Sequence, residues 1–110
     1  MAIPHAAPGE IIDIRGAVGT IGPENSETLI RTDHLEVFRY AVPAGKVVDV
    51  HTAAGLMVVQ CLEGTVEFTA LGKTGLLTPG TMLYLPDREP HGLKAVTGAL
   101  LLITILLHRT

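Results

Sequence analysis

Apolar residues in this chain come in short runs, five to nine residues long, cut by glycine or proline every ten residues or so. The breaks fall at Gly16, Gly19, Gly22-Pro23, Pro43-Gly45, Gly55, Gly64, Gly72, Gly75, Pro79-Gly80, Pro86, Pro90, Gly92 and Gly98. The runs between them are rich in Val, Ile, Leu and Thr, and no window carries a capped 3.6-residue amphipathic period. This pattern predicts strands at 10–15, 27–32, 34–42, 46–52, 56–63, 65–71, 74–78, 81–85, 91–96 and 99–107. Many short strands at even spacing, with turn residues between, argue for an all-β sandwich or barrel. The last run, ALLLITILL, would suit a helix by periodicity, but its Ile-Thr-Ile centre favours a strand.

Length and composition narrow this further. A chain of 110 residues supports one domain with one core, and no linker or low-complexity tract divides it. The hydrophobic class is 47% and charged residues 17%, which excludes a disordered chain. A net charge of −3, no basic run and only four aromatic residues argue against nucleic acid. Cys61 is alone, so no internal disulfide forms, as suits a reducing compartment. The start, MAIPHAAPGE, lacks the basic and apolar regions of a signal peptide. The longest apolar run has nine residues against the ~20 that a spanning helix needs. A cytoplasmic protein is expected.

Two spaced patterns carry the chemistry. In the first, Gly45 is followed by five residues and His51, then Ala53, Met57 and, after six more residues, Gly64. In the second, Gly80 is followed by five residues and Pro86, then Arg88 and His91. Together they resemble the paired motifs of the cupin superfamily of small double-stranded β-helix (jelly-roll-like) barrels, here a small single-domain form with an incomplete metal motif. The resemblance covers residues 45–91 directly and implies one barrel domain over residues 1–110. In that family the first motif continues from its histidine to a second histidine and a glutamate, and the second motif has a glycine before its histidine. Here Ala53, Met57 and Arg88 stand at those places. His51 and His91 are thus the two remaining members of a four-ligand set.

The resemblance implies a ligand pocket in the lumen around His51, His91, Ala53 and Met57, with a divalent transition metal (Fe, Ni, Zn or Mn) on the two histidines. Asp49, two residues before His51, is the nearest carboxylate expected on its strand face. Val59 continues the apolar lining, and Tyr84, Tyr40 and Arg39 are candidates for the mouth or wall. Cys61 has no neighbouring base and reads as a core residue. Asp87, Arg88 and Glu89 read as a solvated turn near the mouth, and His5, His34 and His108 as surface residues.

The leading reading is a barrel that binds a small molecule, with or without a weakly held metal. A metal-dependent enzyme of dioxygenase or isomerase type and a structural barrel with a filled lumen both stay open. The apolar run 99–107 further predicts a homodimer, since only one face of that strand can meet the lumen. EIIDI, at the N-terminus, is a candidate to cross to the partner.

Overall fold

The computed structural model describes residues 5–15 and 26–107, and His108 and most of the loop-like segment 16–26 lie outside them. The described residues form β1 (Ser26–Arg31), β2 (Leu35–Val42), β3 (Val47–His51), β4 (Leu56–Glu63), β5 (Val66–Ala70), β6 (Lys73–Leu77), β7 (Met82–Leu85), β8 (His91–Ala95) and β9 (Ala99–Leu106). These nine strands match nine of the ten expected to within a residue or so. All pair antiparallel in two sheets, one in the order β1-β2-β9-β4-β7 and the other β3-β8-β5-β6.

Strand alternation builds the core. On β4, Met57, Val59 and Cys61 are buried while the residues between them are only half-covered. They meet Val66, Phe68, Leu93 and Ala95 of the smaller sheet, so the two sheets pack face to face. β9 departs from alternation: Ala99 to Ile103 are all buried. It is a central strand, flanked by β2 and β4, so its edges are paired and its inner face lies in the core.

The outer face of β9 is largely buried within the single chain, which the sequence did not reveal. Leu100 and Leu102 are only 2% and 8% exposed within a single chain. Arg39 pairs with Leu102 in the β2–β9 ladder and is itself 5% exposed. Its guanidinium binds the Glu27 carboxylate through both Nε (3.0 Å) and Nη2, and Nη1 donates to the Ile14 carbonyl at 3.4 Å. At the other end of the N-terminal segment, the Ala6 amide donates to the Leu29 carbonyl at 2.8 Å. Residues 5–15 are therefore tied back onto their own sheet. The strand expected at 10–15 is absent. Carboxylates there close local turns instead, Glu10 accepting from the Ala7 amide and Asp13 from the Arg15 amide.

The tie is partial. Met82 (67%), Tyr84 (66%) and Leu106 (47%) remain open on the same outer face. The β4 ladder brings them beside half-covered Leu56 and Val58, since Leu56 pairs with Leu106 and Val58 with Tyr84.

Candidate functional site

His51 closes β3, His91 opens β8, and the ladder between these strands sets the two residues opposite one another. Their ring centroids are 4.4 Å apart with planes inclined by 56°. Strict alternation from Val48, which faces the lumen, would send residue 51 to the outside. An irregularity in the ladder between Val48 and His51 resets the parity and aims the histidine inward. Asp49, next to Val48, faces away from the lumen, so the same bulge separates it from the face of His51, against the expectation that the two would share one. Asp49 contributes its backbone instead, its carbonyl lying 3.0 Å from His51 Nδ1.

His91 repeats the arrangement, with Nδ1 2.8 Å from the Glu89 carbonyl. A carbonyl only accepts, so these bonds require the proton on Nδ1 of both rings. In the neutral ring each Nε2 then keeps its lone pair. Two neighbouring imidazoles with anchored Nδ1 and free Nε2 are the outcome. On the side away from His51, the Phe68 ring stacks on His91 at 5.8 Å with planes within 7°.

Beside this pair the two sheets bound a half-open cavity of about 330 Å³. Its apolar walls come from Val48, Met57, Val59, Leu93 and Ile103, its aromatic walls from Phe38, Tyr40 and Phe68, and its polar groups from Ser26, His51 and His91. Tyr40 lies beside the core, and burial pushes its phenol above the usual value. His51, His91, Met57 and Val59 thus meet in one space. Ala53 does not line it, because β3 ends at His51; it packs beside the core, and its carbonyl accepts the Arg88 amide at 3.2 Å. Tyr84 does not line it either. It alternates with Leu83 and Leu85 and projects from the opposite face. Neither Phe38 nor Phe68 was expected from sequence to line the lumen. Phe38 and Tyr40 stand at i and i+2 of one strand, which was the available signal.

A family model described as the AraC-like ligand binding domain matches residues 35–107. The chain belongs to that family, within the cupin superfamily. No curated protein matches it in sequence. Among solved structures, a conserved protein of unknown function from Streptococcus pyogenes is 21% identical with a TM-score of 0.76, over 100% of this chain and 97% of the other. A cupin superfamily protein from Desulfitobacterium hafniense is 19% identical, TM-score 0.71, over 76% of each chain. A RmlC-like cupin from Desulfovibrio desulfuricans is 28% identical, TM-score 0.66, over 74% of this chain and 79% of the other.

The cupin framework survives in the backbone where its side chains have changed. Gly45, Gly64 and Gly80, the motif glycines, have φ of 83°, 78° and 88°. Arg88, at the fourth glycine position, keeps a left-handed φ of 61°. Its side chain points to solvent, 74% exposed, with an ion pair to Asp87 at 3.6 Å. Asp87 turns its other oxygen inward to accept the Gly55 amide at 2.6 Å. The Asp87 carboxylate and the Arg88 amide therefore clamp the β3–β4 loop to the β7–β8 loop.

The donor set limits what a metal can do here. Among the described residues, no third His, Cys, Asp or Glu joins His51 and His91 in a group that could hold an ion. Two imidazoles fall short of the three protein ligands usual in a catalytic zinc site. Met57, at the glutamate position, is 7% exposed and puts a thioether where a carboxylate would stand. Cys61 is no substitute, because burial pushes its thiol up and its Sγ donates to the Glu63 and Gly64 carbonyls. No helix among the described residues is long and apolar enough to cross a membrane.

Proposed function

We propose that this protein binds a small molecule in the lumen of its barrel, with His51 and His91 as the polar end of the site. The unfilled volume carries the reading. A lumen plugged by side chains would leave no space, whereas about 330 Å³ falls in the range of small-molecule pockets. The family's own description, a ligand binding domain, supports the same function. The metal-dependent enzyme reading is the weaker one, since the missing donors are those that would hold an ion firmly. His51 and His91 would hold Fe, Ni, Zn or Mn through their Nε2 atoms, weakly, with water completing the shell. Such an ion would polarise a ligand oxygen.

A thermal-shift screen of small molecules, run on wild type and on the lumen-filling variant Val48→Phe, tests the proposal. Compounds that raise the melting temperature of wild type and not of Val48→Phe support it. A screen without hits, or with hits indifferent to the filled lumen, overturns it. Restoring donors with Ala53→His and Met57→Glu, singly and together, is the companion test. The Met57→Glu change puts a carboxylate into the lumen, whereas position 53 lies beyond the end of β3. Metal affinity should therefore rise far more with Met57→Glu than with Ala53→His.

The open apolar area around Met82, Tyr84 and Leu106 supports a second element of the proposal, a homodimer in which two copies cover this face. Contiguous exposed apolar surface on a soluble chain usually marks such a contact.

A further inference from the structure

The distribution of aromatic side chains says what kind of molecule the cavity takes. The chain has only two Phe, two Tyr and no Trp. Three of these four rings, Phe38, Tyr40 and Phe68, border the one cavity that also holds the histidine pair. Phe38 and Tyr40 rise from β2 of the larger sheet, and Phe68 from β5 of the smaller one. Aromatic faces therefore approach the space from both sides. A barrel that needed only bulk could use the Val, Leu and Ile that fill the rest of its core. Rings gathered around unfilled space suit a flat π-system, since offset and edge contacts between rings add to simple burial.

The polar groups then select among flat molecules. No Lys, Arg, Asp or Glu lines the cavity among the described residues. An anionic ligand would lose its hydration without a counter-charge, and a sugar would bury several hydroxyls beside valine and leucine. At one end, His51 and His91 as neutral imidazoles each offer an Nε2 lone pair, because Nδ1 holds the proton for the Asp49 and Glu89 carbonyls. A neutral ligand must bring a donor to that end.

Resting on the reading of the lumen as a ligand site, we infer that the ligand is an uncharged aromatic molecule bearing a hydroxyl, a phenol in chemical class, whose ring lies among Phe38, Tyr40 and Phe68 and whose O–H donates to the histidine pair. Tyr40, a phenol and therefore neutral near pH 7, offers its own hydroxyl without adding charge.

Isothermal titration with 4-ethylphenol and three matched probes tests this. Replacing the hydroxyl by a methoxy group, in 4-ethylanisole, removes the donor and should weaken binding about tenfold, the usual worth of one hydrogen bond left unmade. Saturating the ring, in 4-ethylcyclohexanol, should weaken it several-fold. The 4-ethylbenzoate anion should bind worst, and Phe68→Leu should narrow the gap between the aromatic and saturated alcohols. Binding of the benzoate or of the ether as tight as that of the phenol overturns the inference. So does a thermal-shift screen whose lumen-dependent hits are sugars or carboxylates, which would leave the small-molecule reading standing. If neither the screen nor the phenol gives binding sensitive to Val48→Phe, both readings fall.

Discussion

Replacing Gly64 by alanine should damage this protein far more than the same change at Gly80, although both glycines have left-handed φ, 78° and 88°. At Gly80 an added Cβ meets open space. Only the conformational cost remains, roughly 1–2 kcal/mol for a left-handed residue with a Cβ. A stiffer unfolded chain offsets ~0.4–1 kcal/mol of it, so the net loss is about 1 kcal/mol. At Gly64 the new atom would press on the Gly98 carbonyl oxygen and sit 2.7 Å from Ala99 Cα. Both are backbone atoms at the start of β9, the strand on which both faces are buried, so neither can swing aside. Overpacking adds ~1–3 kcal/mol, for a total of about 2–4 kcal/mol. Arg88→Gly carries the opposite sign. It relieves the strain at φ 61° and loses only an exposed ion pair of negligible worth. After the entropy of the added glycine, the variant should be between neutral and about 1 kcal/mol more stable. Urea denaturation followed by far-ultraviolet circular dichroism measures all three, with unchanged m-values as the check that the transition is the same. Equal losses at Gly64 and Gly80, or a clear loss for Arg88→Gly, would show that the backbone of the motif is not set as described.

The Arg39–Glu27 pair has side chains only 6% and 11% exposed, so Glu27→Leu alone should cost about 1.5–3 kcal/mol by removing the carboxylate that a buried guanidinium binds through Nε and Nη2. Glu27→Leu with Arg39→Met should recover most of that loss, and an additive pair in the same chemical denaturation would contradict the buried-pair account. Cys61, 1% exposed with a raised thiol pKa, should resist an aromatic disulfide reagent at mildly alkaline pH until the protein is unfolded. Rapid reaction in the native state would place it outside the core. Light scattering should give about twice the 11.6 kDa chain mass, and Tyr84→Glu with Met82→Lys should return it to the monomer value. A wild-type mass of one chain refutes the dimer.

Hydrophobic runs and turn residues were enough to place nine of the ten expected strands, because most runs of Val, Leu and Ile are bounded by a residue that breaks the ladder. The all-β class and the cupin barrel followed from that spacing and from the positions of Gly45, His51, Gly64, Gly80 and His91. The assignment of Cys61 to the core rested on its lack of any partner in sequence, and burial agrees. Faces were harder. Alternation placed Met57 and Val59 in the lumen correctly, since β4 is regular over that stretch. It misplaced Asp49, because a bulge between Val48 and His51 shifts parity and nothing local announces it. Ala53 fell beyond the strand end, and Tyr84 needed the parity of β7, which depends on which neighbour it pairs with. Long-range pairing alone brought His51 to His91, forty residues apart, and gathered Phe38, Tyr40 and Phe68 from two sheets around one space. The N-terminal segment illustrates the same division. EIIDI has the composition of a strand, but only the folded sheet, with Arg39 reaching up to the Ile14 carbonyl, decided that it would be tied to its own chain without pairing as a strand. Local sequence sets where a chain can extend and where it must turn, whereas the choice of partners, and with it the contents of the cavity, is a property of the whole fold.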